Sequence, residues 1–471
     1  MLMILLVAVC SLASLVVAIG SFLLKQTVRK LKKNQKKSDD RLSIGIFHPY
    51  CDAGGGGERV LWCAIKCLQL RYSGHRFVVY TGDVSVAPDD IVANAKKRFD
   101  IEFPEKIEFI YLHRRKWVEA KKYSYFTLLG QSIGSVYLSL EALCKFVPDV
   151  YIDTTGYAFS VPVFKFLGGC RVGSYVHYPT ISTDMLNRVS SRVETYNNRS
   201  SVTRSPFLTS MKLLYYKVFA KLYAWAGRRN NIVMVNSSWT EDHINQIWQS
   251  PSRTFKVYPP CDVEDFKNIP FIEDGQKQLL KIVSVAQFRP EKDHPLQIRM
   301  LFNLRQIMKE PDWERVRLVL IGSCRNQEDH NRVKDMQDLC KHLSVEENVI
   351  FKINVSYEEL KQELSEGIIG IHTMWNEHFG IGVVECMAAG LIMVANRSGG
   401  PMMDIVMEYD GSRNGFLATD ENDYAWAIQT ILSMTPEARA AIRQRAKASV
   451  DRFSDRQFAK EFLKATESLF A

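Results

Sequence analysis

Short apolar runs rich in β-branched residues alternate with longer helical patterns from about residue 43 almost to the end of this 471-residue chain. Such alternation is typical of parallel sheets built from strand-helix-strand units. One series of runs extends from "LSIGIF" to "TFKVYPPCD", and a second from "LKIVSVAQF" to "LIMVAN". A polar connection near residues 262 to 278 separates them. We therefore predict an α/β protein with two facing Rossmann-like domains.

The length agrees with this division, because 471 residues exceed what one hydrophobic core usually organises. The predicted organisation is a membrane anchor at 1–24, a basic juxtamembrane segment at 25–40, an N-terminal domain at 41–262, a C-terminal domain at 263–452 and a helix at 453–471. We expect the last helix to pack back on the N-terminal domain. Ligands of such sheets bind beyond the carboxyl ends of the strands, so a cleft between the domains is the expected site.

The first 24 residues contain no charged side chain. A helix of that length, at about 1.5 Å per residue, is long enough for a hydrocarbon core of roughly 30 Å. The alternative is a cleavable signal peptide, which usually has a positive start and a shorter apolar run. Seven basic residues follow at once: Lys25, Arg29, Lys30, Lys32, Lys33, Lys36 and Lys37. We expect this cluster to lie against anionic lipid, with the domains facing the cytosol.

The charge of the remaining chain is close to balanced. Lys and Arg total 61 and Asp and Glu total 52, so removing the seven basic residues of the juxtamembrane segment leaves 54 against 52. This balance argues against nucleic acid as a partner. The ten cysteines are scattered without zinc-binding spacing, which favours reduced and mostly buried thiols.

A glycine-rich stretch, "HPYCDAGGGGER", follows the first predicted strand and opens a helix. Gly54, Gly55, Gly56 and Gly57 allow close backbone approach, and the exposed N–H groups of a helix start bind anions. We predict a phosphate loop here. A tight turn without a ligand is the alternative, since the four glycines do not form a G-x-G-x-x-G pattern.

A second helix start lies in "TMWNEHFGIGVVECMAAG". Glu377 precedes this helix, and Glu385 lies about five residues beyond Gly380. The two carboxylates should flank a phosphate docked at the helix start, and a nucleotide diphosphate sugar offers hydroxyl donors on both sides of its pyrophosphate. The alternative is that acids near a helix N-terminus only favour the helix dipole.

Two further stretches lie at predicted strand ends. "SVAQFRPEKDH" places Gln287, Arg289 and Lys292 beyond the first strand of the second domain, where cations would neutralise a departing diphosphate. A solvated charge cluster is the alternative. His177, in "YVHYPTIS", follows a strand of the first domain and is a candidate for the reaction site or a structural histidine.

Two apolar helical segments have an ambiguous environment. "PFLTSMKLLYYKVFAKLYAWAGRR" carries several lysines, and core burial is favoured over membrane contact. "YSYFTLLGQSIGSVYLSLEALCKF" has little charge and is the better candidate for a second contact with lipid.

With these motifs, the chain resembles the retaining GT-B glycosyltransferases of family GT4 over about residues 43 to 465. Their E-x7-E signature matches Glu377 and Glu385, and further matching pieces are "NSSWT", "VYPPCDVEDF", "SGGPMMDIV" and "GFL". The anchor, "HPYCDAGGGGERVLW", "YVHYPTISTDM" and "AQFRPEKDH" are similar to the α-1,2-mannosyltransferases of the asparagine-linked glycosylation pathway.

The resemblance implies transfer of mannose from GDP-mannose to dolichol-pyrophosphate-linked oligosaccharide, from Man3 to Man5GlcNAc2, with retention at the anomeric carbon. It places the enzyme on the cytosolic face of the endoplasmic reticulum membrane, with other mannosyltransferases of the pathway as candidate partners. The sequence contains no Asp-x-Asp for Mg²⁺ or Mn²⁺ on a diphosphate. We therefore expect neither a metal nor another cofactor.

The resemblance also assigns roles to residues. It implies that Glu377 holds the donor mannose hydroxyls, that Glu385 holds the ribose, and that Lys292 meets the phosphates. The predicted catalytic residues are Glu377, His177 and Lys292. The predicted donor-binding residues are Glu385, Lys292, Arg289, Gln287, His378, Phe379, Gly380 and Ile381.

One departure from the family pattern affects the phosphate contacts. The wider family usually has "GRL" where this chain has Ala286, Gln287 and Phe288, so Arg289 would have to supply the phosphate contact. This change keeps open a non-catalytic scaffold of a mannosyltransferase complex. A glycosidase is a further alternative, because two carboxylates flanking a sugar are its usual equipment. Hydrolysis, however, needs no phosphate-binding helix starts.

Overall fold

The computed structural model describes residues 2–182, 184–185, 206–270 and 278–471, apart from the side chains of residues 2–18 and 206–208. The chain forms two compact units. Unit 1 comprises Met1–Asn236, Thr240–Val257 and Ala459–Ala471, and unit 2 comprises Ser237–Trp239 and Tyr258–Phe458. Unit 2 thus begins before the predicted boundary at 262 and ends after the one at 452.

Through residue 257, the described helices are α1 (Leu2–Ser38), α2 (Gly56–Arg71), α3 (Pro88–Phe99), α4 (Thr127–Lys145), α5 (Ser160–Pro162), α6 (Pro206–Gly227) and α7 (Ser238–Trp248). The strands are β1 (Ser43–Phe47), β2 (Arg76–Thr81), β3 (Ile107–Tyr111), β4 (Val150–Asp153), β5 (Arg171–Val176), β6 (Ile232–Val235) and β7 (Thr254–Lys256).

From residue 258 onward, the described helices are α8 (Val263–Lys267), α9 (His294–Ile307), α10 (Glu310–Trp313), α11 (Gln327–His342), α12 (Tyr357–Glu366), α13 (Ile381–Ala388), α14 (Glu421–Leu432), α15 (Pro436–Ser449) and α16 (Asp455–Thr466). The strands are β8 (Leu280–Val285), β9 (Val316–Gly322), β10 (Val349–Ile353), β11 (Gly367–His372), β12 (Ile392–Asn396), β13 (Glu408–Tyr409), β14 (Ser412–Arg413) and β15 (Phe416–Ala418).

The sheet of unit 1 has the order β3-β2-β1-β4-β5-β6-β7, and its strand pairs are parallel. Its central strands are apolar and buried along their whole length, as expected where helices cover both faces. The strand order reverses between β1 and β4. The residues that follow β1, β4 and β5 therefore lie side by side at one edge.

The main sheet of unit 2 has the order β10-β9-β8-β11-β12-β15, also parallel throughout. Its reversal lies between β8 and β11. The prediction of two Rossmann-like domains is confirmed, and each predicted apolar run contains a strand. The short antiparallel pair β13-β14 was not predicted, because two residues per strand leave no detectable periodicity.

Helix α1 contains the predicted anchor and the basic segment in one continuous element. The side chains of residues 1–18, which form most of the predicted anchor, lie outside the described residues. Among the helices that are described, none is long and apolar enough to cross a membrane.

The basic end of α1 makes contacts within unit 1. Val28 is buried in the core of unit 1, and Lys32 and Lys36 pair with Asp149 at 3.4 and 3.0 Å. The prediction that this cluster lies against anionic lipid stays a prediction, and Asp149 is the partner that unit 1 offers to these two lysines. An acidic residue more than a hundred positions along the chain holds them, and its proximity cannot be detected in the local sequence.

Candidate active site

Glu377 lies in the loop that connects β11 to α13, at the strand reversal of unit 2. Its carboxylate pairs with the Lys292 ammonium and accepts a hydrogen bond from the His372 ring at 3.2 Å. The second carboxylate oxygen accepts the His378 backbone N–H at 3.2 Å. The structure thus brings together two residues predicted to be catalytic, 85 positions apart in the chain.

The ionisation of Glu377 follows from these contacts. Burial alone would raise the pKa of its carboxyl group, but the hydrogen bond from His372 and the charge of Lys292 outweigh burial. The pKa of Glu377 is therefore held well below its ordinary value. This carboxylate accepts hydrogen bonds and carries a negative charge across the physiological pH range.

The turn that carries Lys292 is fixed to the neighbouring strand. The hydroxyl of Thr373, directly after β11, donates to the Lys292 carbonyl oxygen at 2.8 Å, and Gln297 donates to that hydroxyl at 2.8 Å. Asp293 adopts a left-handed conformation with φ 48° and caps α9. These contacts hold the ammonium of Lys292 beside Glu377.

Two histidines of this site were missed by the motif analysis. His372 is the last residue of β11, and His294 is the first of α9. Burial, together with the nearby charges of His372 and Lys292, lowers the pKa of His294 to about 4, so its ring is neutral near pH 7. His372 lies at a predicted strand end and His294 is the last residue of "SVAQFRPEKDH", but neither position by itself indicated a role.

Glycines shape the loop before α13, residues 373–380. Gly380 has φ 106°, which side chains rarely allow, and α13 starts directly after it. A Cβ on Gly399 would lie 2.3 Å from the Glu377 carbonyl oxygen, and one on Gly400 would lie 2.6 Å from that of His378. The "SGG" of the family motif therefore supports the loop backbone through close approach.

Phe379 and His378 have different environments. The Phe379 ring is buried between Tyr258 and Phe453, with centroid distances of 5.7 and 5.2 Å. It belongs to the core, so a donor contact by this residue would involve its backbone. The His378 ring lies 5.1 Å from that of Trp239, in the "NSSWT" motif.

The residues after β8 alternate in exposure. Gln287 is exposed, the Phe288 ring is fully buried, and Arg289 is partly exposed, with Glu291 at 3.7 Å. Gln287 is therefore on the surface, whereas the Arg289 side chain is partly covered. Their predicted phosphate contacts stay predictions.

Glu385 is half-buried on α13, one and a half turns after Gly380. Burial raises the pKa of the adjacent Cys386 to about 12, and the charge of Glu385 adds to this shift. The structure thus places the Glu385 carboxylate on the helix that follows Gly380. Its assignment to the ribose is untested by these contacts.

Buried Asp404 is a further residue that the motif analysis did not single out. It accepts hydrogen bonds from the backbone N–H and hydroxyl of Ser238, at 2.8 and 2.6 Å, and from the Tyr258 hydroxyl at 2.8 Å. Burial and the Asp404 charge raise the pKa of Tyr258. Asp404 therefore fixes the segment that carries Trp239, the ring neighbour of His378.

The glycine loop of unit 1 is arranged differently. The Glu58 carboxylate, in the first turn of α2, accepts the backbone N–H of Gly55 and lies 3.3 Å from the His48 ring nitrogen. One donor of the predicted phosphate loop is therefore occupied by a carboxylate of the protein itself. Gly54, with φ 82°, uses the conformational freedom of glycine.

His177 lies beside this glycine loop. His48 links His177 to the loop, because its ring contacts both Thr154 and Glu58. A Cβ on Gly57 would lie 3.7 Å from the His177 ring. The His177 ring nitrogen bonds the Thr154 carbonyl oxygen at 3.0 Å, and the Thr154 hydroxyl lies 2.8 Å from the His48 ring. His48, Thr154 and His177 follow β1, β4 and β5, so the strand order explains why they meet.

Asp153 is the last residue of β4, directly before Thr154, and its side chain is fully buried. Burial raises the pKa of its carboxyl group to about 6, although hydrogen bonds from Thr155 and Gly156 and the charge of His48 oppose the shift. Within the described residues, no cluster of three His, Cys, Asp or Glu side chains is arranged to hold a metal ion.

Comparison with known proteins assigns the family. Residues 41–248 match the family model described as ALG11 mannosyltransferase N-terminus, and residues 265–449 match glycosyl transferases group 1. A human protein named GDP-Man:Man(3)GlcNAc(2)-PP-Dol alpha-1,2-mannosyltransferase is 52% identical over 454 residues, covering 96% of this chain and 92% of the human one. The chain belongs to this mannosyltransferase family.

Members of this mannosyltransferase family from distant organisms are similar along the same length. The protein of that name from Caenorhabditis elegans is 44% identical and covers 91% of each chain. Among solved structures, a glycosyltransferase from Rickettsia africae has a TM-score of 0.61 at 14% identity, covering 92% of this chain and 99% of its own. Anabaena Alr3699/HepE with UDP and glucose has a TM-score of 0.60 at 17% identity, covering 91% and 100%. These structures confirm the GT-B fold.

Proposed function

We propose that this protein is a retaining α-1,2-mannosyltransferase that transfers mannose from GDP-mannose to dolichol-pyrophosphate-linked oligosaccharide, extending Man3 to Man5GlcNAc2. The observation that carries the proposal is the Lys292–Glu377 pair beside the start of α13 at the strand reversal of unit 2. The names of relatives at 44 to 52% identity support the donor, the linkage and the acceptor.

The donor diphosphate would lie at the start of α13. Its first turn contains no acidic residue, and its first N–H groups have no acceptor within the helix. Lys292 would balance the charge of the leaving phosphates. Because the same ammonium holds Glu377 in this structure, phosphates that draw it away would release carboxylate oxygens for the mannose hydroxyls.

The ionisation of Glu377 excludes this residue as the proton donor of a glycosidase. A glycosidase needs one carboxyl group whose pKa is raised so that it can donate a proton. The pKa of Glu377 is lowered instead, which suits a hydrogen-bond acceptor. Retention would then follow front-face displacement, in which the leaving phosphate accepts the proton of the acceptor hydroxyl, while Glu377 and Lys292 position the donor.

The acceptor would be handled by unit 1. His177 and the neighbouring glycine loop offer ring and backbone groups at one sheet edge. Glu58 holds the loop in place, so we assign the predicted phosphate-loop residues Gly54 to Gly57 to contacts with the acceptor.

We further propose that residues 1–24 form a single-pass anchor in the endoplasmic reticulum membrane, with both units facing the cytosol. Their lack of charged residues and the basic residues that follow support this. Turnover is proposed to require no metal, because the chain has no Asp-x-Asp and Lys292 supplies a positive charge. Activity that disappears in EDTA and returns with Mg²⁺ or Mn²⁺ would contradict this part.

The decisive experiment offers the full-length protein GDP-mannose and trimannosyl lipid-linked acceptor, and analyses the product by mass and linkage. The expected product carries two added α-1,2-mannoses. Lys292→Ala should lower the rate about a hundredfold or more while the protein keeps its circular dichroism spectrum. An inactive wild-type protein that promotes transfer by another subunit would indicate a scaffold, and release of mannose without GDP would indicate a glycosidase.

A further inference from the structure

Helix α6 of unit 1 exposes a stripe of large apolar side chains on its outer face. The stripe, called here the α6 stripe, consists of Met211, Leu214, Val218, Leu222 and Trp225, each 45 to 57% exposed. Their spacing of three and four residues places them along one side of the helix. The opposite side of α6 is apolar as well, and it packs into the core of unit 1.

The charged side chains of α6 itself and of the two residues after it are all basic. Lys217, Lys221 and Arg228 are exposed on the same helix or directly after it. Residues 206–229 contain no Asp or Glu. An exposed apolar stripe with flanking lysines and arginines is the pattern of helices that lie in the surface of an anionic bilayer. A surface exposed only to water would carry polar side chains at these positions.

The apolar surface continues from α6 to the segment that starts α4. The Phe126 ring lies 5.2 Å from that of Tyr215, whose hydroxyl accepts the Leu129 N–H at 3.1 Å. Tyr125 and Phe126 are among the most exposed aromatic residues described, at 83 and 65%. Lys122 is exposed just before them. Aromatic rings with neighbouring basic groups are characteristic of the interfacial region of a membrane.

The other end of the stripe leads toward α1. The Arg229 guanidinium lies 5.4 Å from the Trp225 ring and 5.7 Å from that of exposed Phe166. Phe166 belongs to the helical turn Val163–Leu167, which packs in the same core cluster as Val28 of α1. The α6 stripe is therefore linked by side-chain contacts to the turn against which α1 packs.

We propose that the α6 stripe and Tyr125 and Phe126 form a docking surface for an anionic phospholipid bilayer. The surface lies on the bilayer, since the basic side chains around α6 are suited to headgroups and not to the hydrocarbon core. The charge pattern favours lipid over a second copy of the chain, which would bring lysines against lysines. This inference deepens the proposed function, because docking would bring the protein to the bilayer that contains the lipid-linked acceptor. It rests on the proposed function only for the identity of that acceptor.

The test uses the full-length protein in vesicles of phosphatidylcholine and phosphatidylserine at four to one, without donor or acceptor. Cys10, Cys144 and Cys324 are replaced by Ser, and a fluorescent label is attached at Leu222→Cys. The matched control carries the label at Leu70→Cys on α2, another position in unit 1 with an exposed apolar side chain. Lipids with a quencher on the acyl chain should quench the label at 222 at least threefold more than the label at 70.

Equal quenching at the two positions would overturn the proposal. Bismaleimide crosslinking of Leu222→Cys between copies, at a yield that rises with protein density, would assign the surface to a second copy and would also overturn it. In a chain labelled at Trp225→Cys, Leu222→Glu should lower the quenching to the level seen for the label at position 70. Leu70→Glu should leave the quenching at position 225 unchanged. No sugar transfer is measured in this experiment, so its failure is distinct from failure of the proposed activity.

Discussion

The two units use the same strand reversal to build two different sites. In unit 1, the first turn of α2 contains Glu58, whose carboxylate caps the helix and contacts His48. In unit 2, the first turn of α13 contains no acid, and the nearby carboxylate of Glu377 is held aside by Lys292. A parallel sheet thus decides where a site lies, and the side chains at its edge decide which ligand charge it accepts.

This contrast supports the proposal that the diphosphate of the donor binds to unit 2. A carboxylate at a helix start competes with an incoming phosphate for the same N–H groups. Glu58 is in that position in unit 1, whereas in unit 2 the cation Lys292 lies beside Glu377 in the loop before α13. The difference follows from single residues, since both helices have a glycine at the N-cap position and follow a strand of a parallel sheet.

The largest expected effect comes from removing the charge of Glu377. Glu377→Gln should lower kcat/KM for GDP-mannose by about a hundredfold or more, because the donor sugar loses a charged hydrogen-bond acceptor. Glu385→Gln is the matched variant on the same helix-loop unit, and should cost about tenfold, mainly in the KM for GDP-mannose. Steady-state kinetics on both variants measure this, and equal losses would contradict the separate roles.

A smaller effect is expected in unit 1. Glu58→Gln should loosen the glycine loop and raise the KM for the lipid-linked acceptor about tenfold. The KM for GDP-mannose should stay within about twofold of wild type. Asp89→Asn, an exposed acid at the start of α3, is the control and should change neither value. If Glu58→Gln affected only the KM for GDP-mannose, the division between the units would be wrong.

The smallest effect concerns stability against pH. The pKa of Glu377 is lowered below its ordinary value of 4.5, so its stabilising effect is present above about pH 4.5 and is lost as the pH falls toward the folded-state pKa. Wild type should exceed Glu377→Gln in free energy of unfolding by on the order of 1 kcal/mol at pH 7. In chemical denaturation experiments, this difference in free energy of unfolding between wild type and Glu377→Gln should become smaller below pH 4.5. A gap that widens on acidification would refute the assigned ionisation.

Much of the fold was predictable because its strands are apolar along their length. Runs such as those of β1 and β12 are buried on both faces, and this requirement is visible in the sequence. The E-x7-E pair and the glycines were recognisable because local spacing carries their signal. Asp404 was missed because it acts through Ser238, which is distant in the chain. His372 lies only five positions from Glu377, but a single histidine at a strand end does not indicate that contact.

The sequence by itself determined two Rossmann-like domains, the helix start after Gly380 and the position of Glu377 before it, since these depend on local periodicity and on the backbone freedom of glycine. The tertiary structure decided which charges meet. It pairs Lys292 with Glu377, and it lets the Glu58 carboxylate accept the Gly55 N–H at the start of its own helix. It also pairs Lys32 and Lys36 with Asp149. The physical reason is that Coulombic and hydrogen-bond energies depend on distances in space, which parallel strand order sets between residues far apart in the chain.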